Sequence, residues 1–164
     1  MNKIVVIIVA LFFVQASAQN NKKDFEPKTK TDHILFAISA IEHDSDLVAA
    51  LAYINEAISE DSNNYFSYAV RGNIYLLQKE YYLALEDFFR ILSANPDDFS
   101  SLLARAKCWY YLKNYEAALK DLDEIIGLEP FDGDVYLWRS KVKKVLGDNI
   151  GAEADLKIYQ KIND

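Results

Sequence analysis

The sequence predicts an all-α superhelix of about eight antiparallel helices arranged in four repeats. The prediction rests first on a 34-residue period that runs through most of the chain, and second on apolar residues spaced three and four apart within each period. Composition agrees, because 51% apolar residues with 13% aromatics exclude a disordered or collagen-like chain, and five glycines argue against a turn-rich all-β fold. A unit of this size cannot bury both its faces alone, so the units are expected to stack around one continuous core.

The period appears as columns of like residues 34 positions apart. The columns include Pro96 and Pro130; Tyr81 and Tyr115; Ala84, Ala118 and Ala152; and Phe88, Leu122 and Leu156. Each of the two prolines follows the second apolar segment of its unit and disfavours helix in the residue before it, so it predicts a helix end. The loops between the predicted helices are short, which makes consecutive helices antiparallel neighbours.

These columns resemble the tetratricopeptide repeat, whose unit carries small, aromatic and proline residues at set positions. One unit shows the pattern at Tyr68, Gly72, Tyr75, Ala84, Phe88, Ile91 and Pro96, and the next at Leu102, Ala106, Trp109, Ala118, Leu122, Ile125 and Pro130. The resemblance covers an array over residues 31–164, with repeats at 31–64, 65–98, 99–132 and 133–164. The first repeat is degenerate and has Ile38 where a small residue is usual, and the last has Lys143 where an aromatic residue is usual.

Residues 1–18 differ from the rest and match a secretory signal peptide. Lys3 gives a positive start, an apolar run of eleven residues follows from Ile4 to Val14, and small residues precede a cleavage site after Ala18. The apolar run is too short to span a bilayer, which takes about 20 residues. An uncleaved anchor or a buried N-terminal helix is the alternative to cleavage. Residues 19–30 are polar and predict a flexible leader.

Cleavage would give an exported protein, periplasmic or secreted, with no remaining membrane span. The 25 acids outnumber the 18 lysines and arginines, for a net charge of −7, which argues against nucleic acid as a partner because phosphate binding needs clustered positive charge. The single cysteine, Cys108, cannot form an internal disulfide. Its position beside Trp109 on a predicted helix indicates a buried, inert thiol.

The sequence contains no motif that predicts an enzyme or a cofactor. It has no P-loop, no G-x-G-x-x-G and no recognisable Ser-His-Asp or Cys-His arrangement. His33 and His43 lie ten residues apart without a third ligand nearby, so we expect polar helix residues and no metal site. Asp132 and Asp134 lack the ligand series of a calcium loop, and Asp134 is expected to cap the seventh helix.

Two further columns place an arginine on each first helix 16 residues before an aspartate on each second helix. The pairs are Arg71 and Asp87, Arg105 and Asp121, and Arg139 and Asp155. We expect a structural ladder of ion pairs, each contributing about 0–1 kcal/mol if exposed. The alternative is that the arginines bind an acidic ligand.

In the family that the chain resembles, set positions of each first helix line an inner groove. The residues at those positions that we expect to bind a partner are Phe66, Asn73, Leu76, Leu77, Leu103, Lys107, Tyr110, Tyr111, Lys141 and Lys144. They form an apolar and aromatic strip with three lysines at one end, a composition that suits peptide recognition. The resemblance therefore implies an exported, non-enzymatic scaffold that binds a protein or peptide in its concave groove.

A second interpretation concerns the C-terminal helix. Stacked repeats often end in a capping helix with a polar outer face, whereas Ile158, Tyr159 and Ile162 stand near the end of this chain. The alternative function is therefore a structural module that self-associates through its repeat ends, forming a homo-oligomer through the C-terminal helix.

Overall fold

The computed structural model describes residues 27–44 and 46–164, and every regular element in those ranges is helical. The α-helices are α1 (Lys30–Ser39), α2 (Leu47–Glu60), α3 (Tyr65–Leu77), α4 (Tyr81–Ala94), α5 (Phe99–Tyr111), α6 (Tyr115–Leu128), α7 (Gly133–Val145) and α8 (Asn149–Asn163). A π-helical turn, Ala40–Asp44, follows α1. The predicted all-α fold with eight helices is confirmed. The predicted signal peptide and most of the predicted leader lie outside the described residues.

The chain divides into two compact units, Met1–Val70 and Arg71–Asp164, and α3 contributes residues to both. In the first unit α1 packs against α2 around Ile34, Ala37, Ala50, Ile54 and Ala57. Ala37 is fully buried while Ile38 is only half-buried, so the small packing residue of α1 stands one position earlier than the repeat pattern has it. The π-helical turn that follows accommodates a residue outside the regular α-helical hydrogen bonding.

In the second unit, helices that are consecutive in the chain pack against one another from α4 to α8, and α5 also contacts α7. The core between α4, α5, α6 and α7 contains Leu92, Leu102, Ala106, Ala118, Leu122, Ile125, Val135 and Val142. Burying one large apolar side chain of this kind stabilises the fold by about 1.5–3 kcal/mol. The α5–α7 contact brings the first helices of two predicted repeats side by side.

Gly72 illustrates why this packing requires small residues. A Cβ atom at this position would lie 2.9 Å from the ring of Phe88 on α4, closer than carbon atoms approach in folded proteins. The alanines of the same repeat pattern, Ala84, Ala106 and Ala118, are likewise almost fully buried. The close approach of α3 and α4 at Gly72 therefore depends on the absence of a side chain.

The turn after each first helix of the second unit has the same geometry three times. Lys79, Lys113 and Gly147 adopt positive φ angles of 64°, 62° and 87°. The amide that follows each of them donates to a carbonyl five residues earlier, as in Glu80 to Tyr75 at 2.8 Å. This hydrogen bond closes a Schellman-type helix end, which favours a residue without a Cβ atom at the left-handed position.

Polar caps begin several of the helices. The side chains of Asp46, Asp98, Asn114, Asp132 and Asp148 accept hydrogen bonds from backbone amides at the starts of α2, α5, α6, α7 and α8. The expected cap of α7 was wrong: Asp132 is the cap, and the amide of Asp134 donates to its Oδ1 at 2.8 Å. The sequence could not separate the two aspartates because either carboxylate can cap a helix start.

Candidate functional site

The structure places the ten residues predicted to bind a partner on α3, α5 and α7. Phe66 belongs to the first unit, and the other nine belong to the second. Six side chains are exposed and four are half-buried; the exposed ones are Phe66, Asn73, Leu77, Tyr111, Lys141 and Lys144. The half-buried ones are Leu76, Leu103, Lys107 and Tyr110. None of the ten is fully buried, so each presents some surface to solvent.

An aromatic cluster forms where α5 meets α7. The ring of Tyr110 lies 5.6 Å from that of Trp138, and the ring of Tyr111 lies 6.1 Å from it, both edge to face. Tyr81 at the start of α4 stacks on Tyr111 with 5.0 Å between ring centroids. Edge-to-face and offset pairs of this kind contribute about 0.5–1.5 kcal/mol beyond the area they bury. The cluster is therefore packed together and still partly exposed, since the side chain of Tyr111 is exposed.

Two lysines approach the ring of Trp138 from different helices. The Nζ atom of Lys141 lies 4.2 Å from the ring centroid, and that of Lys107 lies 5.4 Å from it. These distances are within the range of cation–π attraction. Burial lowers the pKa of Lys107; nearby Asp134 acts against this, and the charge of Lys141 adds to it. Within the described residues neither lysine forms an ion pair with a carboxylate, so each can still bind an anionic or carbonyl oxygen.

Trp138 is the residue that the sequence prediction missed. It lies one position after Leu137, outside the groove positions that the family resemblance supplies. A local signal existed, because Trp138 and Lys141 are three residues apart on one helix and so share a face. Its neighbour Lys107 lies on α5, and only the packing of α5 against α7 brings the two together.

The arginine and aspartate columns meet in three two-point ion pairs. Arg71 binds Asp87 at 2.9 and 2.7 Å, Arg105 binds Asp121 at 2.8 and 2.8 Å, and Arg139 binds Asp155 at 2.8 and 2.7 Å, in each case through Nε and Nη2. The three aspartates are only 3%, 3% and 2% exposed. The pairs that the spacing predicts therefore form, and the value of about 0–1 kcal/mol for an exposed pair does not apply to them because the aspartates are buried.

The last of these pairs belongs to a larger network. Arg139 also contacts Asp123 on α6 at 2.7 Å, and Lys143 contacts Asp155 at 2.9 Å. Burial alone would raise the pKa of Asp155, but hydrogen bonds from Arg139 and Lys143 hold it below its ordinary value. The hydrogen bond to Asp155 also raises the pKa of Arg139. Lys143, which departs from the aromatic pattern of its position, thus provides a second cation to the buried carboxylate.

Comparison with solved structures decides the fold. MamA MSR-1 C2 matches with a TM-score of 0.73 at 15% identity, over 98% of this chain and 95% of that chain. A crystal structure of MamA matches with a TM-score of 0.75 at 11% identity, over 96% of this chain and 86% of that chain. A tetratricopeptide repeat protein from Parabacteroides merdae ATCC 43184 matches with a TM-score of 0.73 at 22% identity, over 82% of this chain and 53% of that chain. The chain has a tetratricopeptide-repeat fold.

Identities this low show the fold alone, since one fold serves many functions. No protein-family model matches the chain, and no curated protein matches it either. Across residues 27–44 and 46–164, none of the helices of this tetratricopeptide-repeat fold is long and apolar enough to cross a bilayer.

The cysteine and the histidines were the other residues considered for a reactive or metal-binding role. Cys108 is fully buried in the tetratricopeptide-repeat fold, and burial raises the pKa of its thiol to about 12, as expected for an inert cysteine. His33 Nδ1 lies 2.9 Å from Oε1 of Glu60 in the first unit but makes no well-directed hydrogen bond. The side chain of His43 lies outside the described residues. In the part of the chain that the structure describes, no three His, Cys, Asp or Glu side chains are grouped to hold a metal.

Proposed function

We propose that this chain is an exported, non-enzymatic scaffold that binds a polypeptide segment on the surface of α5 and α7. The observation that carries the proposal is the ring of Trp138, flanked by Tyr110 and Tyr111 and approached by Lys107 and Lys141. Aromatic side chains held in place by their neighbours are the residues that most often dominate protein interfaces. Leu77 on α3 and Lys144 on α7 are exposed and belong to the set of residues predicted to bind the partner.

The chemistry of this surface suits a segment that carries an apolar side chain beside a carboxylate. The apolar side chain would pack on the rings, and the carboxylate would accept hydrogen bonds from the lysines. Lys107 is held half-buried at the edge of the cluster, so less side-chain freedom is lost when it binds. A strongly basic segment is disfavoured because it would bring like charges together.

Export is the second part of the proposal and rests on the sequence of residues 1–18. A periplasmic or secreted location would make the partner another envelope or secreted protein. Determining the N-terminal residue of the protein from its native cell fractions tests export directly. A new terminus at Gln19 supports it, and a retained Met1 in the cytosolic fraction contradicts it.

The binding surface is tested by capturing partners from the native envelope and medium with the purified chain. Trp138→Ala, Tyr110→Ala and Leu77→Ala each alter the proposed surface. Trp138→Ala is expected to weaken binding by about 2 kcal/mol or more, as truncation of a buried aromatic anchor does. Phe131→Ala is the matched control, because Phe131 is an exposed aromatic residue in the loop before α7.

Captured proteins identified by mass spectrometry are then compared between variants, with circular dichroism confirming that each variant is folded. The proposal expects partners to be lost with Trp138→Ala and retained with Phe131→Ala. An unchanged set of partners for a folded Trp138→Ala protein would show that this surface does not bind them.

A further inference from the structure

Lys141 lies directly over the ring of Trp138. Its Nζ atom is 4.2 Å from the ring centroid, and the two residues are three positions apart on α7, so they share a face of the helix. Carbon atoms in contact are about 3.5–4.0 Å apart, so no side chain fits between the ammonium group and the ring. An apolar side chain that packs on this part of the ring must therefore displace Lys141.

Among the four side chains placed around the Trp138 ring, Lys141 is the one best able to move. Its side chain is exposed, whereas those of Lys107 and Tyr110 are half-buried. Tyr111 is also exposed, but its ring stacks on that of a tyrosine at the start of α4. The four-carbon stem of a lysine is flexible, and an exposed cation–π contact holds the ammonium group only weakly.

The packing of a repeat does not require the pair of Trp138 and Lys141. The residues one and two repeats before Trp138 are Ala104 and Val70, so small or aliphatic side chains occupy the same repeat position elsewhere. The lysine recurs one repeat earlier as Lys107, but there it follows Ala104 at the same spacing. A ring covered by a lysine of its own helix is therefore particular to α7.

We propose that Lys141 determines which segments bind this surface, by exchanging its contact with the Trp138 ring for a carboxylate of the bound segment. This inference rests on the proposed binding function and names the residue that gives it specificity. A segment with an apolar side chain beside a carboxylate displaces Lys141 and then pairs with it, so a charge-assisted hydrogen bond replaces the lost contact. A segment without the carboxylate breaks the cation–π contact with no replacement, which lowers its affinity about two- to fivefold.

The contact itself is tested in the full chain labelled with 5-fluorotryptophan. The chain has two tryptophans, so its fluorine NMR spectrum has two resonances, and Trp138→Phe identifies the one from Trp138. The shift of this resonance between light and heavy water measures how far the ring is exposed to solvent. Lys141→Ala is expected to increase that shift, and the matched control Lys157→Ala, an exposed lysine of α8, to leave it unchanged. An unchanged shift in Lys141→Ala overturns the proposal.

Specificity is tested by titrating the same resonance with two capped peptides. One contains a leucine followed by an aspartate, and the other has alanine in place of the aspartate. The parent chain is expected to bind the aspartate peptide about tenfold more tightly, as a hydrogen bond to a charged group allows. In Lys141→Ala the alanine peptide should bind about two- to fivefold more tightly than in the parent chain, because nothing has to be displaced. The aspartate peptide should bind about twofold or more weakly, because the lost pair outweighs the contact that no longer has to be broken.

The opposite signs of these two changes separate the exchange from a merely structural role of Lys141, which would change both affinities in the same direction. Lys157→Ala is again the control and is expected to change neither affinity. Affinities that are the same in the parent chain and in Lys141→Ala overturn the exchange and leave the proposed binding function standing. If neither peptide binds the parent chain, the proposed binding function and the exchange are both contradicted, even where the fluorine resonance reports the contact.

Discussion

Arg105 holds the carboxylate of Asp121 with two hydrogen bonds of 2.8 Å, and Asp121 is only 3% exposed. The same relationship recurs at Arg71 and Asp87, and at Arg139 and Asp155. Each pair joins the first helix of a predicted repeat to the second. A buried carboxylate without its cation is costly, so the pair fixes how the two helices pack more than it adds net stability.

Arg105→Met is expected to destabilise the protein by about 3–5 kcal/mol, because it leaves the charge of Asp121 buried without a partner. Urea unfolding measures the free energy of unfolding. The double variant Arg105→Met with Asp121→Leu should recover most of the loss, since no charge remains to be buried. Lys120→Met, an exposed lysine on α6, is the control and should change stability by no more than about 0.5 kcal/mol. A loss below 1 kcal/mol in Arg105→Met would contradict a structural ladder.

Acid should weaken the last pair of the ladder. The pKa of Asp155 in the folded protein is below its ordinary value, so the ionised carboxylate stabilises the fold. This stabilisation is fully present above the unfolded pKa of about 3.9 and is lost as the pH falls through the folded pKa. The stability difference between the parent chain and Asp155→Asn should therefore be largest near pH 7 and shrink below about pH 4. Urea unfolding at pH 7, 4 and 3 measures it. A difference that stays constant over this range would show that Asp155 does not carry the effect.

The repeat pattern was sufficient to predict the helices of the second unit, because columns at one spacing report the positions that pack. It did not predict the shift at Ala37 or the π-helical turn after α1, since both are local to one repeat and leave the spacing between repeats unchanged. It predicted the arginine and aspartate partners but not the burial of the aspartates. Spacing shows which residues are neighbours, whereas the burial of a residue depends on all the side chains that surround it.

Prediction of the candidate site was less complete for a related reason. The ten residues were placed on the first helices, and all keep some exposure, but Trp138 was absent from them. Its neighbours Lys107 and Tyr110 come from another helix, so the cluster exists only once α5 and α7 are packed. A pattern within one repeat cannot report a contact between two repeats.

Cys108 should be unreactive in the folded protein. Its thiol is fully buried with a pKa of about 12, so at pH 8 very little thiolate is present and reagents cannot reach it. Iodoacetamide at pH 8 is expected to add no mass to the native protein, and one carbamidomethyl group per chain after unfolding in urea. Prompt labelling of the native protein would mean that the region around α5 opens readily.

Replacing a lysine at a left-handed turn by glycine should stabilise the fold. Lys79 and Lys113 have positive φ angles that cost a residue with a Cβ atom about 1–2 kcal/mol, and Gly147 occupies the equivalent position of the last repeat. Lys113→Gly relieves that cost but adds freedom to the unfolded chain, so we expect a net gain of about 0.5–1 kcal/mol in the free energy of unfolding. Lys120→Gly, inside α6, is the matched control and should lose about 1 kcal/mol. Thermal and urea unfolding of both variants measure the difference. Equal losses in the two would mean that the turn at Lys113 is not held in the left-handed conformation in solution.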